Sequence, residues 1–339
     1  MTKGQVLVPV LWGLLTLGST SGHAQEPSES ERFSFESVHM GTTFRIVAYA
    51  DGERRAGAAA NAAFAYVTRL DSLFSDYRPD SEVSLLALRA GAGGCARVSG
   101  ELWALLLEAH HWSERTGGLF DVTVGPLSRL WRWSARRGAL PAPERVHAAR
   151  AAVGFHDLTV DLAEPCVTFE RPGMSLDLGG IAKGFAADAM LDILKRYGIE
   201  AALVDAGGDI VAGAPPPSSR GWLVALPGGD SLRIADAAVA TSGDAERHVI
   251  VDGIRYAHIV DPRTGLGVID APTVTVVAPT ATSADVLASV LTVMDPGRGE
   301  ALVRRIGEVW ARSCGATDWT AGPLPLHAWS EHSTPTMHR

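Results

Sequence analysis

Several features that would narrow the class of this chain are scarce in it. Cysteine occurs three times in 339 residues, at Cys95, Cys166 and Cys314. That is too few for a disulfide framework, and no spacing among them has the form of a metal or redox motif. In an oxidising compartment an odd number leaves at least one thiol free. Basic charge is short: 30 Lys and Arg stand against 38 Asp and Glu, a formal net charge of −8. A field of that sign gives no reason to expect nucleic acid or an anionic membrane surface as partner. Beyond Leu17 no apolar run approaches the roughly 20 residues of a membrane span. There is no evident repeat or low-complexity tract, and neither a Walker A loop nor a dinucleotide fingerprint.

What is present has the composition of a globular protein, with 46% hydrophobic and 20% charged positions. The length allows one large domain or two smaller ones. The start has the form of a secretory signal: Lys3, an apolar run from Val6 to Leu17, then small residues up to Ala24. Pro9 and Gly13 break that run, and no Cys stands near Ala24 to carry a lipid. The expectation is a cleavable signal over residues 1–24, a domain over 25–320 and a flexible tail over 321–339. Cleavage removes Lys3 and leaves an exported, periplasmic chain that does not span the membrane.

The periodicities predict a mixture of hairpins and helices, hence α+β rather than a doubly wound sheet. Helices are expected over Arg54–Ser72, Glu101–Arg115, Pro143–Ala152, Lys183–Tyr197, Ala281–Met294 and Gly299–Ile306, with Gly117 and Gly198 as stops. Strands are expected over Phe44–Ala50, Met174–Leu178, Ala201–Asp205, Trp222–Leu226 and Val274–Ala278. Two hairpins are expected, one around Glu164–Pro165 and one across Asp252–Gly253.

Four stretches have the residue types of a binding site. Asp177-Leu-Gly-Gly-Ile-Ala-Lys-Gly184 puts glycines and Lys183 where a strand turns into a helix, an arrangement that lets backbone N–H groups approach an anion. Asp205-Ala-Gly-Gly-Asp209 is a second glycine turn flanked by carboxylates. Either could equally be an ordinary tight turn. Asp285 and Ser289 lie four apart on a helix and share a face, and one carboxylate with one hydroxyl suits a hard cation such as Mg²⁺. Alternatively, Asp285 only complements the helix dipole. His258-Ile-Val-Asp-Pro-Arg-Thr-Gly265 places a His beside a polar turn, a position suited to acid–base work, although a lone His is more often structural. Ala240-Thr-Ser-Gly243 and Phe120-Asp-Val-Thr-Val-Gly-Pro126 read as further polar turns.

In order along the chain, these stretches, together with His39-Met-Gly-Thr-Thr43, Ser75-Asp-Tyr77 and Gly117–Pro126, resemble the ApbE family of FAD:protein FMN transferases. The resemblance covers about residues 35 to 310. It implies a T-fold-like, two-lobed α+β architecture with FAD in a groove between the lobes. It also implies an Mg²⁺-dependent enzyme that splits FAD, transfers FMN to a Thr or Ser hydroxyl of a partner protein and releases AMP. Expected acceptors are flavoprotein subunits of the Nqr and Rnf kind and other exported FMN-binding domains.

By position, the resemblance assigns FAD contacts to Met40, Tyr77, Leu119, Phe120, Asp121, Asp177, Lys183 and Val260. It assigns the metal to the Gly180 carbonyl, Asp285 and Ser289. Family members usually have Thr where Ser289 stands; Ser keeps the ligand oxygen and loses a methyl. Some carry an acid where this chain has Ala288, which removes one contact. His258 is the first candidate for the base that takes the acceptor's proton, and Asp261 the second. The alternatives are an FAD pyrophosphatase, with water as nucleophile, and a non-catalytic flavin carrier.

Overall fold

The computed structural model describes residues 30–243, 248–324 and 328–331. The expected signal over 1–24 lies outside them. The centre is an eight-stranded antiparallel sheet. Its strands run in the order Glu31–His39, Thr42–Ala50, Ala202–Ala206, Ile210–Ala212, Ala237–Ser242, Thr273–Ala278, Trp310–Cys314 and Trp319–Ala321. Alternation along Thr42–Ala50 shows why both faces are covered. Phe44, Ile46 and Ala48 enter the main core, while Val47 joins a second cluster on the opposite face.

The helices Glu53–Phe74, Ala182–Arg196 and Ala281–Val293 cover the first face. A small sheet of Trp222–Ala225, Ser231–Ile234 and Ala328–Glu331 covers the second, bringing Trp222, Val224 and Ile234 against Val47 and Val239. Two further small sheets flank this body. One pairs Ala96–Arg97, Cys166–Phe169 and Leu158–Val160; the other pairs His248–Val251, Ile254–Asp261 and Leu266–Ile269. The mixed α+β class agrees with the sequence reading. Among the described residues no helix is long and apolar enough to cross a membrane.

Glycine and cap signals mark the element ends as the sequence suggests. Gly117 closes Gly100–Thr116 in the left-handed conformation. The Asp252–Gly253 turn joins its two strands with both residues at positive φ, 50° and 79°.

Two expectations are corrected. Met174–Leu178 is not a strand: only Ser175 bridges, to Val124, because Gly125–Pro126 starts a helix at once and cannot extend the ladder. The polar turn at Phe120–Pro126 therefore leads into the helix Gly125–Arg137, whose Leu127, Leu130, Trp131 and Ser134 form the buried stripe. Ala240–Gly243 is not a turn either, since Ala237–Ser242 is an inner strand of the main sheet, paired on both sides. In the expected tail, Ala328–Glu331 pairs with Ser231–Ile234. Cys95 and Cys166 form a disulfide, and Cys314 is a free, exposed thiol.

Candidate active site

Two helices place the acidic centre. The Ala182–Arg196 helix passes so close to the start of Ala281–Val293 that a Cβ on Gly184 would lie 2.4 Å from the Ala281 carbonyl oxygen. Only glycine permits that approach. Asp188, one turn on, accepts hydrogen bonds from the N–H groups of Ala281 (2.8 Å) and Thr282 (2.9 Å) and from the Thr282 hydroxyl (2.6 Å). It thereby satisfies free donors at the N-terminus of the second helix. Burial raises the Asp188 pKa against these bonds.

Asp285 follows on that fixed helix, 5% exposed. Its Oδ2 lies 3.6 Å from Lys183 Nζ and accepts from the Gly184 N–H at 3.3 Å. Lys183 also bonds Asp209, the buried acid of the second glycine turn. One ammonium thus bridges two carboxylates. Burial alone would lower the Lys183 pKa, but Asp285 and Asp209 outweigh it and hold the value above that of an ordinary lysine. Burial, then the Asp285 charge, push the Asp209 carboxyl up to about 7 despite the Lys183 contact.

Gly180 and Ser289 meet beside this centre. A Cβ on Gly180 would sit 3.5 Å from Ser289 Oγ and 3.6 Å from Phe120 Cε2. The three residues assigned to a metal and one assigned to FAD are therefore drawn from two loops and a helix into one neighbourhood. Met40 packs partly buried against the main core, two residues before Thr42. It occupies a two-residue hairpin at φ 48°, with Gly41 at 75°, and Thr42 next to it packs on Gly207, where a Cβ would lie 2.3 Å from Thr42 Oγ1. A non-glycine residue held at positive φ is a conformation that the surrounding structure must enforce.

The remaining assigned residues divide by what engages them. Asp177 accepts from the Gly179 N–H at 2.9 Å and faces Arg132. Tyr77 is 73% exposed. Leu119 packs half-buried on the core. Asp121 is used locally: its carboxylate accepts from the Thr123 N–H and hydroxyl at 2.8 and 2.6 Å and from the Phe155 N–H at 3.0 Å. It shapes the loop that presents Leu119 and Phe120.

Val260 packs with Trp131 and Tyr256, and His258 is exposed on the same strand. Both oxygens of Asp261 are held by Arg263, at 2.8–3.1 Å, and Arg263 also donates to the Val293 carbonyl at 3.2 Å. A carboxylate paired in this way anchors the turn to the end of the Asp285 helix. Residues the sequence reading left unassigned include Asp209, Asp188, Arg132 and Asp76. Asp209 had a visible signal in its Gly-Gly turn and Asp76 in the Ser75-Asp-Tyr77 stretch, whereas Asp188 and Arg132 had none.

Comparison with known proteins bears on the family and the fold. A model of the ApbE family matches residues 40–313. An FAD:protein FMN transferase of Treponema pallidum is 32% identical over 329 residues, covering 88% of this chain and 87% of the relative. One from Vibrio cholerae is 35% identical over 67% of this chain and 71% of its own length. Among solved structures, the apo form of Pseudomonas stutzeri flavinyl transferase ApbE superposes with a TM-score of 0.78 at 27% identity, covering 86% of this chain and 95% of that one. The flavin transferase ApbE of Vibrio cholerae gives 0.77 at 28% identity, over 86% and 97%.

Proposed function

The chain belongs to the ApbE family, and on that premise we propose that it is an FAD:protein FMN transferase acting on exported flavoproteins. The observation that carries the reading is the meeting of Asp285, Lys183 and Asp209 beside Gly180 and Ser289, within the segment matched by the family.

The donor chemistry fits Mg²⁺. Asp285, the Ser289 hydroxyl and the Gly180 carbonyl are all hard oxygen donors. Among the described residues no cluster of three or more His, Cys, Asp or Glu competes as a metal site. A single carboxylate with two neutral oxygens leaves room for water and substrate phosphates, as Mg²⁺ prefers. When bound there, the ion supplies positive charge to the pyrophosphate of FAD.

The chain's own residues supply the rest. Lys183 adds a fixed cation beside Asp285, and the glycine-rich Asp177–Gly184 turn lets backbone N–H groups approach phosphate oxygens. The acceptor hydroxyl forms a bond to the FMN phosphorus while the bond to the AMP oxygen breaks. His258 takes the hydroxyl proton, and AMP leaves with the bonding electron pair. Positioning and electrostatics provide most of the acceleration.

Export is part of the proposal. The basic, apolar and small-residue sequence of residues 1–24 supports it, and the Cys95–Cys166 bond belongs to an oxidising compartment such as the periplasm. Acceptors of the Nqr and Rnf kind, or other exported FMN-binding domains, share that compartment. The test is to incubate the mature chain with FAD, Mg²⁺ and such an acceptor, then view flavin fluorescence on a denaturing gel. A fluorescent acceptor band that vanishes with chelator is expected. A dark acceptor with AMP accumulating would replace transfer by FAD hydrolysis, and no AMP at all would leave a flavin carrier.

A further inference from the structure

The helix Gly125–Arg137 ties together parts of the molecule that are far apart in sequence. Arg129 donates to Ser175 Oγ at 2.9 Å, and Trp131 Nε1 donates to the Ala257 carbonyl at 3.2 Å, next to His258. Arg132 follows these anchored positions, and its side chain is largely buried. One end of its guanidinium bonds Asp76, and Nη1 lies 3.5 Å from Asp177 Oδ2. Its Cζ stands 4.6 Å from the centre of the Tyr77 ring. The side chains of Arg132, Asp76 and Asp177 are 26%, 14% and 18% exposed.

A single cation therefore holds two largely buried carboxylates and one face of an aromatic ring. Burial, and then the nearby Asp177 charge, raise the Asp76 pKa, and Arg132 opposes both. Without the guanidinium the two acids would repel and the loop carrying Tyr77 would lose its tie. The Tyr77 ring is 73% exposed, so the guanidinium side is held and a broad apolar surface is left to solvent. Such a surface is a stacking platform for a flat ring system. Asp177 is fixed from both sides, by Arg132 at Oδ2 and by the Gly179 N–H at Oδ1, one residue before Gly180. A planar fork can bond two acids and stack on a ring at once, which a lysine ammonium cannot.

We infer that Arg132 is the positioning residue that holds Tyr77 and Asp177 in place for the flavin nucleotide. The inference rests on the reading of Tyr77 and Asp177 as FAD contacts. It assigns Arg132 to binding rather than to the phosphoryl transfer itself.

The test is FAD titration of the mature chain by flavin fluorescence, with Arg132→Met, Arg132→Lys, Tyr77→Ala and the Arg132→Met/Tyr77→Ala pair, each checked for cooperative melting. Arg132→Met is expected to weaken FAD about tenfold and to raise KM for FAD with kcat little changed. Arg132→Lys keeps a cation between the two acids, so it folds even where Arg132→Met does not, and is expected to cost about threefold in affinity. Tyr77→Ala should cost about tenfold in the wild-type background and add almost nothing to Arg132→Met, because the two act as one unit. Additive losses, or wild-type FAD affinity in folded Arg132→Met or Arg132→Lys, would overturn the role of Arg132. A wild-type chain that binds no FAD would instead overturn the reading beneath it.

Discussion

Reduction of the Cys95–Cys166 bond should lower the melting temperature by about 6 °C, a value that follows from the loop the bond closes. The two cysteines are 71 residues apart. Cross-linking a loop of that length removes chain entropy from the unfolded state worth about 4 kcal/mol in the chain-entropy model. The melting entropy of a 339-residue chain, at roughly 2.1 cal/mol/K per residue, converts this to about 6 °C. The closed loop contains Leu119–Asp121 and Arg132, so the bond also constrains the part of the chain that frames the candidate FAD site. Differential scanning with and without a phosphine reductant measures the shift, and Cys95→Ser/Cys166→Ser should reproduce it without reductant. Thiol titration of the native protein should find Cys314 alone reactive. A melting temperature indifferent to reductant, with the bond shown to be broken, would refute the reasoning.

Other perturbations reach the site directly. Asp285→Ala should lower transfer by at least about 100-fold and abolish its response to Mg²⁺, since the substitution removes the only carboxylate of the oxygen donor set; a variant with normal, chelator-sensitive activity would contradict the metal assignment. Gly184→Ala places a methyl 2.4 Å from the Ala281 carbonyl oxygen, and the forced separation of the two helices should cost about 1–3 kcal/mol in urea unfolding. Unchanged stability would mean that the helices are free to shift. His258→Asn should reduce kcat by about 100-fold or more with FAD affinity retained. Full transfer by that variant would move the base elsewhere.

Much of the frame was legible because local chemistry determines it. Gly117 and Gly198 end helices where the sequence marks them, and Asp252–Gly253 turns a hairpin because both positions accept positive φ. Periodicity failed where composition masked it. In Gly125–Arg137 the buried Leu127, Leu130, Trp131 and Ser134 are interleaved with arginines, and the inner strand Ala237–Ser242 is small and apolar on both faces, so it does not alternate. The site divides in the same way. Asp285 and Ser289 share a helix face, which spacing alone reveals. The Lys183–Asp209 pair joins residues 26 apart in sequence, and the Arg132–Asp76 pair residues 56 apart; only the fold brings them together. For Asp121 and Asp261 the residue type was legible, while the partners that hold their carboxylates, loop N–H groups and Arg263, were not.

The most direct test of the central claim is a stoichiometry. The mature chain, FAD and Mg²⁺ are mixed with an exported FMN-binding domain, and released AMP is counted against flavin bound to the denatured acceptor. The account predicts one AMP for each FMN attached through a Thr or Ser hydroxyl, with both products lost in Asp285→Ala. AMP formed without attached flavin, or flavin attached without AMP, would contradict it.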